Sequence, residues 1–248
     1  MKKRRIFRNL NDKEFAWVLY DVGNSAYTML ACALIPIWFK AMAIGTKPGQ
    51  LTSDRATAYY SMAIAVITIV VALLGPVCGA ISDYKGMKKR YFLTSTVAVG
   101  VCGCILNGFA CQWIVFLLLF AVTKIFYNMS LMFYDSMLND ITTEERMDEV
   151  SSYGYAWGYL GSCIPFLIAL VAYVLGPDMV GIISGKLSMA IGFAVTGLWW
   201  LLVTVPLIKN YKQINYVEKK EHAVRSAFRR IFETIRFIAT KDKKYFSF

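Results

Sequence analysis

Asp21, Asn24, Ser25 and Thr28 recur at three- and four-residue spacing, which puts a carboxylate, an amide and two hydroxyls on one face of a helix. Lys124, Asn128 and Asp135 add an ammonium, an amide and a carboxylate farther along the chain. Such groups exchange protons or hold a polar solute through ionic and hydrogen bonds. Both sets lie within long apolar stretches, where an ionisable side chain is costly and by default faces a cavity or a partner. Tyr27 follows in the same segment, and the seven residues Asp21, Asn24, Ser25, Tyr27, Lys124, Asn128 and Asp135 form a candidate substrate or proton pathway. The same stripe also suits a structural hydrogen-bond node, and the sequence leaves both readings open.

Depth along the helices narrows the pairings. At 1.5 Å per residue, Asp135 lies about 5 Å from the inner end of its span, Asp21 about 10 Å, Asn128 about 15 Å and Lys124 about 20 Å. Asn24 and Asn128 are then matched, whereas an Asp21–Lys124 salt bridge requires stretching or tilt. Lys124 suits equally an anionic solute group or a neutral state against carbonyls.

The elements that must position these residues follow from hydropathy. The 248 residues are 57% hydrophobic and only 17% charged, too apolar for a soluble domain of this size. Low-charge runs near 15–40, 56–82, 91–110, 112–136, 154–175 and 186–207 are each long enough to span a bilayer, which takes about 20 apolar residues. Backbone groups in lipid must bond internally, and the alternating polarity of barrel strands is missing, so the spans are expected to be helices.

The net charge of +11 is distributed by topology and is not a nucleic-acid signal. Basic residues crowd residues 1–14, the connection at 82–90 and residues 208–248, while Lys40, Lys47, Arg55 and Lys186 fall on the other side. The positive-inside rule therefore predicts both termini in the cytoplasm. Val224, Phe228, Ile231, Phe232, Ile235 and Ile238 recur at helical spacing opposite arginines, which predicts an amphipathic helix near 221–240 lying on anionic membrane lipid or flooring the bundle, with a partner-binding role as the alternative.

No cofactor or metal is expected. All six cysteines lie in or beside spans, Cys102 and Cys104 point to different sides of a helix, and the one histidine, His222, is outside the spans. No span offers a histidine, a paired-carboxylate metal motif or a serine–base arrangement, which argues against an intramembrane enzyme. A cleaved signal peptide is disfavoured by Asp21 and Asn24 in its would-be apolar core.

The connection between the second and third spans is a tight turn carrying Gly79, Asp83, Gly86, Lys88, Lys89 and Arg90. Asp83 opposes the dipole at the C-terminus of its own helix and so calls for a partner. Gly86 permits a left-handed turn, and Gly75 with Gly79 is spaced to admit a neighbouring helix. The next connection on that face is acidic, with Asp140, Glu144, Glu145, Asp148 and Glu149. Thr142 and Glu145 have capping-box spacing. A sharper expectation is that this acidic loop, through Glu144 and Glu145, pairs with Lys88, Lys89 and Arg90. Gly154, Gly158 and Gly161 line one side of the fifth span in a helix-packing pattern, and Pro36, Pro76 and Pro165 are tolerated kinks.

The 79–90 turn resembles the signature loop between helices two and three of the major facilitator superfamily, with Met87 where that superfamily often has arginine. Tyr20–Tyr27, Tyr134–Ile141 and Val150–Gly161 resemble the vacuole-effluxer branch, the autophagy-related family and its bacterial relatives. The resemblance implies an all-α integral membrane fold, the six-helix N-terminal half of that superfamily with two inverted three-helix repeats, and alternating access with helices one and four lining a central cavity. It implies a secondary transporter of a small solute, proton-coupled, with amino-acid efflux the activity associated with the branch. The signature loop would act as a cytoplasmic gate against a second half. Lys124 departs from the pattern.

Superfamily members have twelve helices, so this chain is expected to be a fragment ending before a seventh helix, its partner a missing C-terminal half; a parallel homodimer of half-size transporters is the alternative. A non-transporting six-helix scaffold is the reading from another class. The expected location is a bacterial cytoplasmic membrane.

Overall fold

The computed structural model describes residues 9–218. The first basic residues and the amphipathic helix expected near 221–240 lie outside the described residues. Six helices follow in order: α1 Asp12–Ala43, α2 Ser53–Ser82, α3 Met87–Asn107, α4 Trp113–Ile141, α5 Met147–Val174 and α6 Gly185–Asn210. All six are long and apolar enough to cross a membrane. Among the described residues there is no strand, only two isolated bridges.

Local chemistry explains the helix ends. Asn11 caps α1 by accepting from the Lys13 and Glu14 amides at 2.9 Å, while Glu14 accepts from the Asn11 amide at 2.8 Å, a reciprocal capping box. The box expected at Thr142–Glu145 does not form. Thr142 instead closes α4 and donates its hydroxyl to Glu14 at 2.7 Å, because that carboxylate is buried and needs donors. A 3₁₀ turn, Glu144–Arg146, then leads into α5.

Helix α1 packs chiefly on α5 and α6, and α4 packs chiefly on α2 and α3. Exchanging α1 with α4, α2 with α5 and α3 with α6 maps one set of contacts onto the other, the relation two three-helix repeats require. Part of α3, Thr94–Val101, is π-helical. The core is aromatic, with Trp200, Tyr20, Tyr27, Phe39, Phe116 and Phe193 fully enclosed. In lipid such packing is held by dispersion and interhelical hydrogen bonds, with no hydrophobic drive between helices. Most of α2, by contrast, is exposed apolar surface suited to lipid tails.

Candidate functional site

A cavity of about 470 Å³ lies between α1, α4 and α5. Asp21, Asn24, Ser25 and Thr28 reach it from α1 and Asp135 from α4, so the polar stripe of α1 does face a cavity. Asn24 Nδ2 donates to Asp21 Oδ1 at 3.1 Å, a bond within one helical turn that fixes the carboxylate's orientation. The other carboxylate oxygen lies against the glycine side of α5. A Cβ at Gly158 would sit 3.1 Å from Asp21 Oδ2 and 3.0 Å from Ser25 Oγ, and one at Gly154 would sit 2.9 Å from Trp17. These glycines leave the room that the Asp21 carboxylate occupies. Farther along, a Cβ at Gly161 would meet Val22 at 2.4 Å, so there the missing side chain lets α1 and α5 touch.

Aromatic side chains supply the remaining walls. Trp17 stacks on Tyr134 with centroids 4.3 Å apart and donates its indole N–H to the Tyr134 carbonyl at 3.1 Å. Tyr134 is 3% exposed, and its hydroxyl has no hydrogen-bond partner among the described residues. Tyr155 and Tyr159, one turn apart on α5, line the cavity and are exposed. Sequence reasoning missed these four rings as site residues. Their signal was present: Tyr155 and Tyr159 flank Gly158, and Trp17 lies one turn before Asp21.

Lys124, Asn128 and Tyr27 do not line the cavity. The Lys124 ammonium lies 4.6 Å from the centre of the Tyr127 ring and 5.7 Å from that of Tyr27, a cation–π arrangement. Tyr27 is enclosed against Tyr127 and Trp200, and Thr28 hydrogen-bonds the Tyr127 hydroxyl. Neither the Asp21–Lys124 salt bridge nor an Asn24–Asn128 hydrogen bond occurs among the described residues. Depth accounts for the first: with α4 running to Ile141, Lys124 lies about 26 Å from its end, against about 14 Å for Asp21 from the start of α1. Asn24 and Asn128 stay matched in depth, but Asn128 does not line the cavity. Asp135, about one turn from Asp21 in depth, is the α4 carboxylate that shares the cavity.

The turn between α2 and α3 forms a second polar cluster, at the end of the bundle where α1 begins. Gly86 has φ 75°, the left-handed conformation expected of it. Lys88 Nζ lies 3.8 Å from Asp83 and 3.5 Å from Asp140, and donates to the Ser136 carbonyl at 3.3 Å. The proposed partners Glu144 and Glu145 are exposed and form no ion pair with Lys88, Lys89 or Arg90 among the described residues. Because α4 continues to Ile141, it is Asp140 that projects beside Lys88, and the later acids fall past it in the 3₁₀ turn. Arg146 turns instead to Glu14 at 3.0 Å and Glu149 at 3.5 Å. Gly75 and Gly79 face Met132 Sδ at ordinary contact distance, so α4 does not need glycine there to approach.

A strap beyond α6 completes this cluster and was not foreseen. Tyr211 donates to Asp140 Oδ2 at 2.6 Å, while the Ile214 and Asn215 amides donate to Asp140 Oδ1 at 3.2 and 2.7 Å. Gln213 accepts from the Gly86 amide at 2.9 Å, and the Val217 amide donates to the Asp83 carbonyl at 2.9 Å. Lys85 lies over the Tyr216 ring at 5.3 Å.

The arrangement of six membrane-length helices about a polar cavity agrees with what similar proteins indicate. Residues 11–248 match the vacuole effluxer Atg22-like family. This chain belongs to that family. It is also similar to an uncharacterized MFS-type transporter, YxiO, from Bacillus subtilis (strain 168), at 34% identity over 236 residues. That match covers 94% of this chain and 54% of the relative, so the chain spans about half the length of the curated relative it matches. The six-helix bundle of this Atg22-like chain is thus an all-α membrane fold of the major facilitator type, and the protein is a multi-pass integral membrane protein.

Proposed function

We propose that this Atg22-like chain forms one half of the solute path of an alternating-access secondary transporter, with the α1–α4–α5 cavity as its wall. The observation that carries the reading is the convergence of Asp21, Asn24, Ser25 and Asp135 on one cavity inside a bundle of membrane-spanning helices. A second six-helix unit, in the same chain or a second copy, supplies the opposite wall. Asp21 carries the coupled proton or orients the solute. The Lys88–Asp140 cluster is the gate at the end where α1 begins, and the distribution of Lys and Arg supports placing that end in the cytoplasm of a bacterium. The family description supports efflux as the direction and the resemblance supports an amino acid as the cargo.

The reading is tested by reconstituting the protein in proteoliposomes and following a panel of labelled amino acids under an imposed pH gradient. Flux that depends on the gradient is expected, and Asp21→Asn is expected to abolish that dependence. Unchanged pH dependence in Asp21→Asn discards the proton role. If alanine at Asp21 and Asn128 lowers stability and leaves every flux untouched, the scaffold reading holds instead.

A further inference from the structure

The cavity between α1, α4 and α5 has a chemical bias. It is lined by two carboxylates, Asp21 and Asp135, and by no lysine or arginine among the described residues. Neither carboxylate has an ion-pair partner among the described residues, and Asn24 contributes only one neutral N–H, to Asp21. Four aromatic rings share the same walls. The electron-rich faces of Tyr and Trp attract ammonium groups and do nothing for an anion. Tyr134, which lines the cavity, is 3% exposed, and its hydroxyl is unpartnered among the described residues.

Electrostatics decides between solute classes. A carboxylate brought to this wall meets two acids and no counter-charge among the described residues, whereas an ammonium meets two acceptors of opposite charge. Resting on the reading of this cavity as the solute path, we propose that the wall recognises the ammonium group of a small organic solute, with Asp21 and Asp135 as counter-charges and Trp17, Tyr134, Tyr155 and Tyr159 as ring contacts. That ammonium is supplied either by a simple organic amine or by the amine end of an amino acid whose carboxylate is held outside this wall.

The test is calorimetric titration of the purified 248-residue chain in lipid nanodiscs with four probes sharing one ring: phenethylamine, phenylalanine, phenethyl alcohol and phenylpropionate. The two ammonium-bearing probes are expected to bind at least about tenfold more tightly than the alcohol or the acid. Tighter binding of phenethylamine assigns a simple amine, and tighter binding of phenylalanine assigns an amino acid. Asp21→Asn is expected to weaken the better ammonium probe about tenfold and to leave phenethyl alcohol unchanged. Asp135→Asn gives an independent reading should the first variant fold poorly. Equal binding of the alcohol or the acid, indifference of both variants, or binding of no probe overturns the proposal. Failure of transport is separable from this: flux of neutral solutes without amine preference discards the ammonium class alone, and ammonium binding without flux of any solute discards the transport reading alone.

Discussion

Lys88 and Asp140 form an ion pair 3.5 Å apart with side chains 5% and 0% exposed, tying the α2–α3 turn to the end of α4. Asp140 is the more heavily committed partner. It also accepts from the Tyr211 hydroxyl and from two backbone amides of the strap beyond α6. One buried carboxylate thus holds three separate segments at the end of the bundle, and the coupling between turn and strap passes through it.

Asp140→Ala is expected to be the more damaging of two variants at this pair, because it strands the Lys88 ammonium, a phenol and two amides together. A loss of about 3–5 kcal/mol is expected for removing one member of a buried pair. Lys88→Met leaves Asp140 with three donors and is expected to cost about 1–3 kcal/mol. Thermal unfolding in detergent, monitored by circular dichroism, checks the order; a larger loss for Lys88→Met contradicts it.

Reversing Glu144 and Glu145 to lysine is expected to leave the melting temperature nearly unchanged, since both are exposed and neither pairs with the basic turn. Reversing Lys88 and Lys89 should destabilise, by placing a carboxylate beside Asp140. Combining the two sets should give additive effects. Partial rescue would restore the pairing that the sequence led us to expect.

The α5 glycines should separate packing from chemistry. Gly161→Ala places a Cβ 2.4 Å from Val22, and overpacking of about 1–3 kcal/mol is expected. Gly158→Ala meets only the ends of two polar side chains, Ser25 Oγ at 3.0 Å and the Asp21 carboxylate with Oδ2 at 3.1 Å and Cγ at 3.3 Å, which can shift. Its stability cost is offset by about 1 kcal/mol of helix propensity. Flux or ammonium binding should nevertheless fall in Gly158→Ala as Asp21 is displaced, with a smaller Tm change than in Gly161→Ala.

Alkaline pH should report on Tyr211. Burial first, then its hydrogen bond to the Asp140 carboxylate, raise the phenol above its usual value of 10.0. The folded state therefore favours the neutral phenol, and that stabilisation is fully present below pH 10.0 and lost as the pH climbs above it. Tyr211→Phe should lower Tm by the equivalent of about 1–2 kcal/mol near neutral pH and show a shallower decline above it. Parallel curves for the two proteins from neutral to strongly alkaline pH would refute this.

Much of the candidate site was legible because its signals are local. The spacing of Asp21, Asn24, Ser25 and Thr28 follows from 3.6 residues per turn, and a polar stripe in an apolar span must face something polar. The left-handed Gly86 and the need of Asp83 for a partner were equally readable. Lys124 was legible only in part. Depth already spoke against a bridge from Lys124 to Asp21, and none forms among the described residues, but nothing local showed that Lys124 lies over aromatic rings or that Asp135 shares the cavity with Asp21.

The sequence by itself determined six membrane-length helices and the family, since hydropathy, periodicity and short motifs are properties of neighbouring residues. Only the tertiary structure decided which acid meets Lys88, which carboxylate shares a cavity with Asp21, and that a strap at 211–217 closes over the α2–α3 turn. Those outcomes depend on how the helices and the strap are set against one another. That is decided by contacts between residues far apart in the chain, as in Trp17 with Tyr134 and Tyr211 with Asp140, where no local pattern carries the register.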